Sequence, residues 1–312
     1  MTTDCSLAAP AIRPEPARLA GAAAALFTVL LWAAGLVATR FGVTGSLTLW
    51  DVVFLRLLLP ALLLLPVLVR HPPAAAGRPH FPLLLAVLVA GAGLPFLLTS
   101  SGGMVFAPAA HAGPLMPGCM PIFAALLAVL VLGERFTPAR RLGTLLMLAG
   151  AAAVGGWQVL HDGGSTWRGD LMFVAAGAMW ACYTIAMKKS GLGVWQAAAV
   201  VYVTSCLLYA PVYLLGGGAG RLMAAPAFEV GIQLFQSVAS GLLSMAAYGF
   251  AVRRLGAAPA AAFGALTPAL TALLAIPLLG EWPEPATWTG IVAVSLGVAL
   301  ANGAFDSRRR AG

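Results

Sequence analysis

Charged side chains are scarce in this sequence. Only 9% of its 312 residues are Asp, Glu, Lys or Arg, whereas 61% are hydrophobic. A soluble domain carries roughly 25% charged residues, so this chain cannot cover itself with a hydrated surface. The shortage of charge excludes a water-soluble globular protein and indicates a protein embedded in lipid. The formal net charge of +8 then reflects orientation in a membrane and does not predict binding to nucleic acid.

Motifs of catalysis, metal binding and nucleotide hydrolysis are missing as well. The four cysteines have neither CxxC nor Cys/His spacing, so no metal site or disulfide framework is predicted. The patterns GxxxxGK[ST], GxSxG and HExxH are absent, which argues against ATP-driven transport within this chain and against hydrolases of these types. The prediction is a protein that is not an enzyme and has no cofactor and no metal.

Long apolar runs are what the sequence has instead. A helix needs about 20 residues to cross a hydrocarbon core of about 30 Å, and these runs lack the alternation of strands. We therefore predict an all-α polytopic membrane protein with ten transmembrane helices. The ten runs are residues 18–40, 49–69, 81–100, 104–132, 138–157, 169–189, 195–215, 229–252, 257–280 and 286–304.

The basic residues predict the orientation. With the N-terminus inside, 14 of the 18 Lys and Arg residues fall in the tails and inner connections, three fall in outer connections, and Arg56 lies within a helix. This asymmetry is a strong positive-inside signal. Both termini are therefore expected to be cytoplasmic. The Arg-rich, Ala-rich composition further indicates a bacterial chain in the inner membrane.

An internal repeat organises the chain. Residues 121–150 and 268–297 align without a gap, and such self-similarity determines the architecture. The matched landmarks, always 147 positions apart, are Pro121 with Pro268, Gly133-Glu134 with Gly280-Glu281, Gly143 with Gly290, and Gly150 with Gly297. Because each repeat has five helices, an odd number, the second is expected to be inverted in the membrane. Inverted repeats are typical of secondary transporters, which bind substrate between the repeats near the midplane.

Several of these landmarks, together with residues of the first two predicted helices, carry a family resemblance. They are Leu31-Trp32-Ala33, Arg56, and the pattern from Pro121 through Gly133-Glu134 to Pro138 and Gly143, with its weaker copy at Pro268 and Gly280-Glu281. On these residues the chain resembles the EamA-type transporters of the drug/metabolite transporter superfamily, over residues 18–304. The resemblance implies export or exchange of amino acids and other small metabolites by alternating access. It also implies a cavity surrounded by eight helices, with the fifth and tenth helices outside it.

Five segments are predicted from these patterns. They are a polar N-terminal tail (1–17), a first five-helix repeat (18–157), an outer connection (158–168), a second five-helix repeat (169–304) and a basic C-terminal tail (305–312).

Polar side chains at helical spacing mark several predicted helices. Because polar groups are costly in lipid, such faces are expected to turn toward protein or a water-filled cavity; hydrogen bonds that join helices together are the alternative. The stripe on residues 229–252 is the longest and favours a cavity. The residues predicted to line a substrate-binding cavity are Trp32, Arg56, His111, Trp180, Tyr183, Tyr202, Gln236, Ser240, Ser244 and Tyr248.

Two ionisable residues stand inside predicted helices. Arg56 can hold a substrate carboxylate through paired hydrogen bonds, or it can pair structurally with Asp51 or with carbonyls at a helix end. His111 can carry a proton, because an imidazole has an unperturbed pKa of about 6.5; the alternative is a neutral histidine bonded to a backbone carbonyl. Coupling to protons rests on His111 alone.

Prolines interrupt the fourth predicted helix and its counterpart, the ninth. Proline removes a backbone donor and kinks a helix, and interrupted helices at corresponding positions in two repeats point to a transport site. Pro114, Pro117, Pro121 and Pro268 are predicted to kink or gate, and Pro108 is expected to interrupt the fourth helix. Static kinks needed for packing are the alternative. Glu134 and Glu281 are expected to be solvated carboxylates at helix ends.

The sequence thus predicts a secondary transporter that exports an amino acid or related carboxylate. Its expected partners are a small-molecule substrate, membrane lipids and protons if His111 couples, with no nucleic acid. The oligomeric state stays open, and a monomer is compatible with the sequence. A carrier of nucleotide sugars or organic phosphates is the alternative substrate class. An intramembrane enzyme or a channel is the alternative of a different class, without a supporting motif.

Overall fold

The computed structural model describes residues 15–73, 80–132, 137–161 and 166–302. Within these ranges all regular structure is helical, as the long apolar runs predict. The α-helices are α1 (Glu15–Thr44), α2 (Leu49–Arg70), α3 (Phe81–Ala92), α4 (Leu94–Phe106), α5 (Ala109–Leu115), α6 (Met120–Leu132), α7 (Pro138–His161), α8 (Thr166–Ser190), α9 (Val194–Leu215), α10 (Gly218–Ala224), α11 (Ala227–Val238), α12 (Ser244–Leu255), α13 (Ala257–Ala262), α14 (Thr267–Leu279) and α15 (Pro285–Ala301).

Eight helices in the described ranges are long and apolar enough to cross a membrane. They are 17–44, 49–70, 81–106, 109–127, 166–190, 194–215, 227–255 and 257–279. The helix α15 is apolar but shorter, and α7 is a helix of 24 residues. The chain is therefore an integral multi-pass membrane protein. Ten crossings with both ends cytoplasmic remain a prediction.

Local sequence explains where several helices begin and end. Thr48 caps α2: its hydroxyl accepts a hydrogen bond from the backbone of Asp51, whose carboxylate accepts one in return from the backbone of Thr48. This reciprocal capping box satisfies two backbone donors at the helix start. At the end of α14, Gly280 has φ of 68°, a left-handed conformation that glycine adopts without a steric penalty. The turn at Gly280 ends α14 directly before Glu281.

The boundary between the third and fourth predicted helices was placed wrongly. The third span continues to Phe106, and the fourth begins at Ala109 instead of residue 104. Pro108 does not interrupt the fourth helix but precedes its first residue. The residue before a helix needs no intrahelical hydrogen bond from its own nitrogen, so proline is tolerated there. The gap between these spans is therefore at Ala107 and Pro108.

Helices α7 and α15 pack antiparallel through glycines. Gly143 faces Gly297, and Gly150 faces Gly290, so that an added Cβ at any of the four would meet backbone atoms within 2.9 Å. Small residues let two helix backbones approach closely, which is how helices associate in lipid. The landmark glycines of the repeat thus hold the last helix of each half against its counterpart.

Replacing Gly150 by alanine is expected to destabilise the protein. The new methyl group would lie about 2.7 Å from the Gly290 carbonyl, and overpacking of this kind costs roughly 1–3 kcal/mol. A thermal unfolding curve of the purified protein in detergent should shift to lower temperature. Gly156 on the same helix has nothing within 4 Å of its added Cβ, so Gly156→Ala should not shift the curve downward. Equal shifts for both variants would contradict the glycine contact.

Candidate functional site

A cavity of about 310 Å³ lies between the two halves of the chain. It extends from Arg140 and Asn302, at one end of the molecule, to Trp32 in the middle of α1. We call the first of these the Arg140 end. The lining residues are Trp32, Pro117, Met120, Pro121, Ala124, Arg140, Trp180, Ala181, Thr184, Tyr248, Ala261, Gly264, Thr267, Val298, Ala301 and Asn302. A largely apolar wall with a few polar groups is what small-molecule sites commonly have.

Aromatic rings form the inner wall of the cavity. Trp32 lies 5.6 Å from Tyr248 between ring centroids, and its indole nitrogen donates to the Ser244 hydroxyl at 3.1 Å. Trp180 lies 5.2 Å from Tyr183. The structure therefore brings Trp32, Trp180 and Tyr248 together around one cavity. Ser244 contacts the ring of Trp32, and Tyr183 contacts the ring of Trp180.

The polar stripe of the predicted eighth helix packs against α1. Gln236 donates to the side chain of Gln233, Gln233 donates to the Ala38 carbonyl, and the Ser240 hydroxyl donates to the Gln236 carbonyl. Gly35 of α1 leaves the space in which Ser240 lies. Neither Gln236, Ser240 nor Ser244 lines the cavity described above. Between α11 and α12 the backbone forms a π-helix at Ala239–Leu243, an irregularity that often occurs at functional sites.

One cavity hydroxyl lacks a hydrogen-bond partner among the described residues. Thr267, at the start of α14, is 1% exposed, and its hydroxyl oxygen has no partner there. Leaving a buried polar group unpaired costs about 1–3 kcal/mol, so a hydrogen-bond partner for this hydroxyl would be stabilising. Thr267 belongs to a polar stripe with Thr271, but the sequence alone did not separate it from threonines that bond to their own helix, as Thr271 does.

Arg56 lies half-buried on α2, away from this cavity. Its guanidinium donates to the Thr39 hydroxyl at 2.7 Å, and Tyr202 lies close enough to interact with its charge. The pairing with Asp51 that the sequence allowed is wrong, because the Asp51 carboxylate accepts from Tyr213 at 2.6 Å and from Arg221 at 3.3 Å. Within the described residues Arg56 therefore has no carboxylate partner.

An ion pair lies at the opposite end of the molecule, which we call the Arg40 end. Arg40, near the end of α1, contacts Glu281 at 2.6 Å and also donates to the Met104 carbonyl. Glu281 accepts a second hydrogen bond, at 2.8 Å, from the backbone of Ala109 at the start of α5. The expectation of a solvated Glu281 is wrong, since its side chain is only 20% exposed. Glu134 lies outside the described residues.

His111 is also near the Arg40 end. It is 1% exposed, and its Nδ1 lies 2.8 Å from the Asp170 carboxylate at the start of α8. The alternative of a bond to a backbone carbonyl is therefore not what the structure has. Sequence reasoning missed Asp170, because an acidic residue one turn into a helix is commonly a solvated residue of the first turn.

The predicted kink residues occupy two breaks. Pro114 lies inside α5, Pro117 lies between α5 and α6, and Pro121 is in the first turn of α6. Pro268 is in the first turn of α14, where Gly113 packs directly against it. Pro117 and Pro121 line the cavity. The breaks of both halves thus meet beside the same space.

The fifth and tenth helices differ from what the resemblance implied. Arg140 of α7 lines the cavity, as do Val298 and Ala301 of α15. Both helices therefore contribute to the Arg140 end of the cavity instead of lying outside it.

Comparisons with known proteins agree with this architecture. The model of the EamA-like transporter family matches the chain twice, over residues 19–156 and 167–303. A probable terminal-alkyne amino-acid exporter of Streptantibioticus cattleyicolor is 30% identical over 296 residues, which is 92% of this chain and 95% of that protein. One crystal structure superposes with a TM-score of 0.60 at 18% identity, over 96% of this chain and 100% of its own. At that identity it supports the fold alone.

Proposed function

The chain belongs to the EamA-like transporter family, and from this premise we propose that it exports a small amino acid or a related carboxylate by alternating access. The observation that carries the proposal is the position of the cavity. It lies between the two matched halves and reaches one end of the molecule, whereas the Arg40–Glu281 ion pair joins the halves at the other end. This asymmetry is that of one state of an alternating-access cycle.

The positions of the basic residues support an assignment of the side of the membrane to which the cavity opens. Arg140, Lys188 and Lys189 lie near helix ends at the Arg140 end, which by the positive-inside rule faces the cytoplasm. The structure would then be open to the cytoplasm and closed at the outer surface. Such a state takes up a substrate for export. With the Arg-rich composition, we propose the bacterial inner membrane as its location.

The cavity chemistry supports an amino acid as substrate. Aromatic walls suit an apolar side chain, and the Thr267 hydroxyl can bind a polar group. Along α1, Trp32 and Thr39 are seven residues apart, a rise of about 10 Å, so the Arg56 guanidinium at Thr39 lies beyond the cavity toward the closed end. We assign Arg56 to the substrate carboxylate, with Gln236, Ser240 and Tyr202 along the path. The relative of S. cattleyicolor is named for amino-acid export.

The alternative substrate class has less support. Phosphate groups are commonly held by several cationic side chains together, whereas Arg140 is the one cation among the described residues that line the cavity. The described lining of this cavity therefore does not provide the set of cations that a nucleotide sugar or organic phosphate needs.

The test is substrate uptake by reconstituted vesicles. A panel of labelled amino acids, organic acids and organic phosphates is offered to vesicles loaded with the same unlabelled compound. We expect exchange of one class of amino acids and a loss of at least tenfold in Trp32→Ala, because the variant loses the ring against which the side chain packs. Trp195→Ala, which removes an exposed tryptophan of α9, should transport normally.

Two results would contradict the proposal. One is exchange of organic phosphates without exchange of amino acids. The other is equal exchange by Trp32→Ala and Trp195→Ala, which would place the substrate elsewhere.

A further inference from the structure

A buried carboxylate and a buried imidazole form a pair between the two halves of the protein. His111 of α5 lies in the first matched half and Asp170 of α8 in the second. Both are at most 5% exposed. The second carboxylate oxygen, Oδ2, has no hydrogen-bond partner in the described part of the chain. Gly155 of α7 faces this carboxylate, and because glycine has no side chain it brings no donor.

In the described part of the chain, no further charged side chain forms an ion pair with His111 or Asp170. Among the described residues, the ion-pair partner of Asp170 is His111. Arg40 and Glu281 are bound to each other, and Arg168 lies over the ring of Trp167 at 5.6 Å. Among the residues whose side chains the structure describes, the other titratable groups on or next to the elements that pack against α5 and α8 are Glu284, Cys119, Cys182, Tyr183, Arg18, Arg140, Arg141, Lys188 and Lys189.

The charge of the pair therefore depends on one proton. With the imidazole protonated, the pair is an imidazolium and a carboxylate with no net charge. With the imidazole neutral, the buried site holds one uncompensated negative charge, which is costly away from water.

Thr287 makes both protonation states possible. Its hydroxyl lies 3.4 Å from Nε2 of His111, on the side opposite Asp170. A hydroxyl can either donate to the lone pair of neutral Nε2 or accept from the N–H of the protonated ring. The imidazole thus keeps two partners whether or not it carries the extra proton. A fixed donor or a fixed acceptor at this position would have favoured one state.

The pair is also connected to the closure of the Arg40 end. Ala109, two residues before His111, donates its backbone N–H to Glu281. When the Arg40–Glu281 contact opens, the start of α5 loses this anchor and water can reach the pair. The proton then exchanges with the medium on that side.

From these contacts we propose that His111 and Asp170 form a proton-binding site, which takes up one proton from the Arg40 side of the membrane before that end closes. The proton adds to the imidazole, and the carboxylate stays ionised beside it. The proton-binding site itself is inferred from the contact between His111 and Asp170 and from their burial. Its part in transport rests on the proposed function: a low pH on the Arg40 side would favour the protonated pair, and with it the state that is closed there and open at the Arg140 end.

The site is tested first without substrate. The chain has four histidines, so NMR of the full-length protein in nanodiscs, labelled at histidine, gives four imidazole signals, and His111→Gln identifies the one from His111. We expect this signal to change with the pH of the medium, and the midpoint of that change to move by at least one pH unit in Asp170→Asn. Glu229→Gln, a matched change in a partly exposed carboxylate bound to Ser46 at the same end, should leave the midpoint in place. If the His111 signal does not change with pH, or if its midpoint is the same in Asp170→Asn as in the wild type, the proposal is overturned.

The second arm uses vesicles with and without a pH gradient. Asp170→Asn should exchange amino acid at equal pH on both sides yet lose at least tenfold of the stimulation by the gradient, whereas Glu229→Gln keeps it. If the pH gradient stimulates exchange by Asp170→Asn as much as exchange by the wild type, the role of the His111–Asp170 pair in transport is overturned. If the wild type moves no amino acid while His111 still titrates with Asp170, the proposed substrate is wrong and the proton site is supported.

Discussion

Arg56→Ala is expected to reduce amino-acid exchange about 100-fold. A guanidinium in a partly buried site, with one hydrogen bond to Thr39 and no carboxylate partner among the described residues, is available for a carboxylate of the substrate. Removing one member of a buried, hydrogen-bonded charge pair costs about 2–5 kcal/mol, and about 1.4 kcal/mol corresponds to a factor of ten. The measurement is the initial rate of exchange in vesicles at low substrate concentration.

The same experiment includes two comparisons. Arg56→Lys keeps the charge but cannot form two parallel bonds to a carboxylate, so it should recover only part of the rate. Arg254→Ala, which removes an exposed arginine at the end of α12, should leave the rate unchanged. If Arg56→Ala slows an amine without a carboxylate as much as it slows the amino acid, Arg56 has a structural role and the assignment fails.

Glu281→Gln is expected to open the Arg40 end. Glu281 joins α1 and the start of α5 through two hydrogen bonds, and charged hydrogen bonds of this kind contribute about 1.5–3 kcal/mol. Loss of the ion pair should raise the population of the state open at this end about tenfold or more. The measurement is the rate at which a water-soluble thiol reagent modifies Ala110→Cys, in a background whose native cysteines are serine.

Ala110 is suited to this measurement because it is 1% exposed in the closed arrangement. Arg40→Ala should raise the modification rate as Glu281→Gln does, and the double variant should add little, since both single changes remove one contact. Glu229→Gln at the same end serves as the control. Unchanged modification in Glu281→Gln would show that the ion pair does not hold this end closed.

Much of the helical fold could be predicted from sequence because lipid allows few alternatives. A run of apolar residues of sufficient length must form a helix to satisfy its backbone, which places most helix ends within a few residues. The exception was the boundary at Ala107 and Pro108. There the sequence stays apolar through the connection, so neither hydropathy nor polarity indicates that the chain turns.

The candidate site was predicted less completely. Trp32, Trp180 and Tyr248 do lie around one space, whereas Gln236, Ser240 and Ser244 are bound to α1 and to their own helix. Periodicity shows which residues share a face of a helix, but it does not show which neighbouring helix that face meets. Asp170 and Thr267 were missed for the same reason.

The sequence by itself determined the class of protein, the repeat and the membrane setting. These depend on composition and on periodic patterns, which are properties of the chain. Only the tertiary structure decided that Glu281 binds Arg40, that Asp170 binds His111 and that Thr267 lines the cavity with no hydrogen-bond partner among the described residues. Each of these pairings joins residues more than 50 positions apart or depends on what surrounds a single side chain. In lipid, the partner of a polar group is set by which helices pack together, and the packing follows from small residues and kinks along all of them at once.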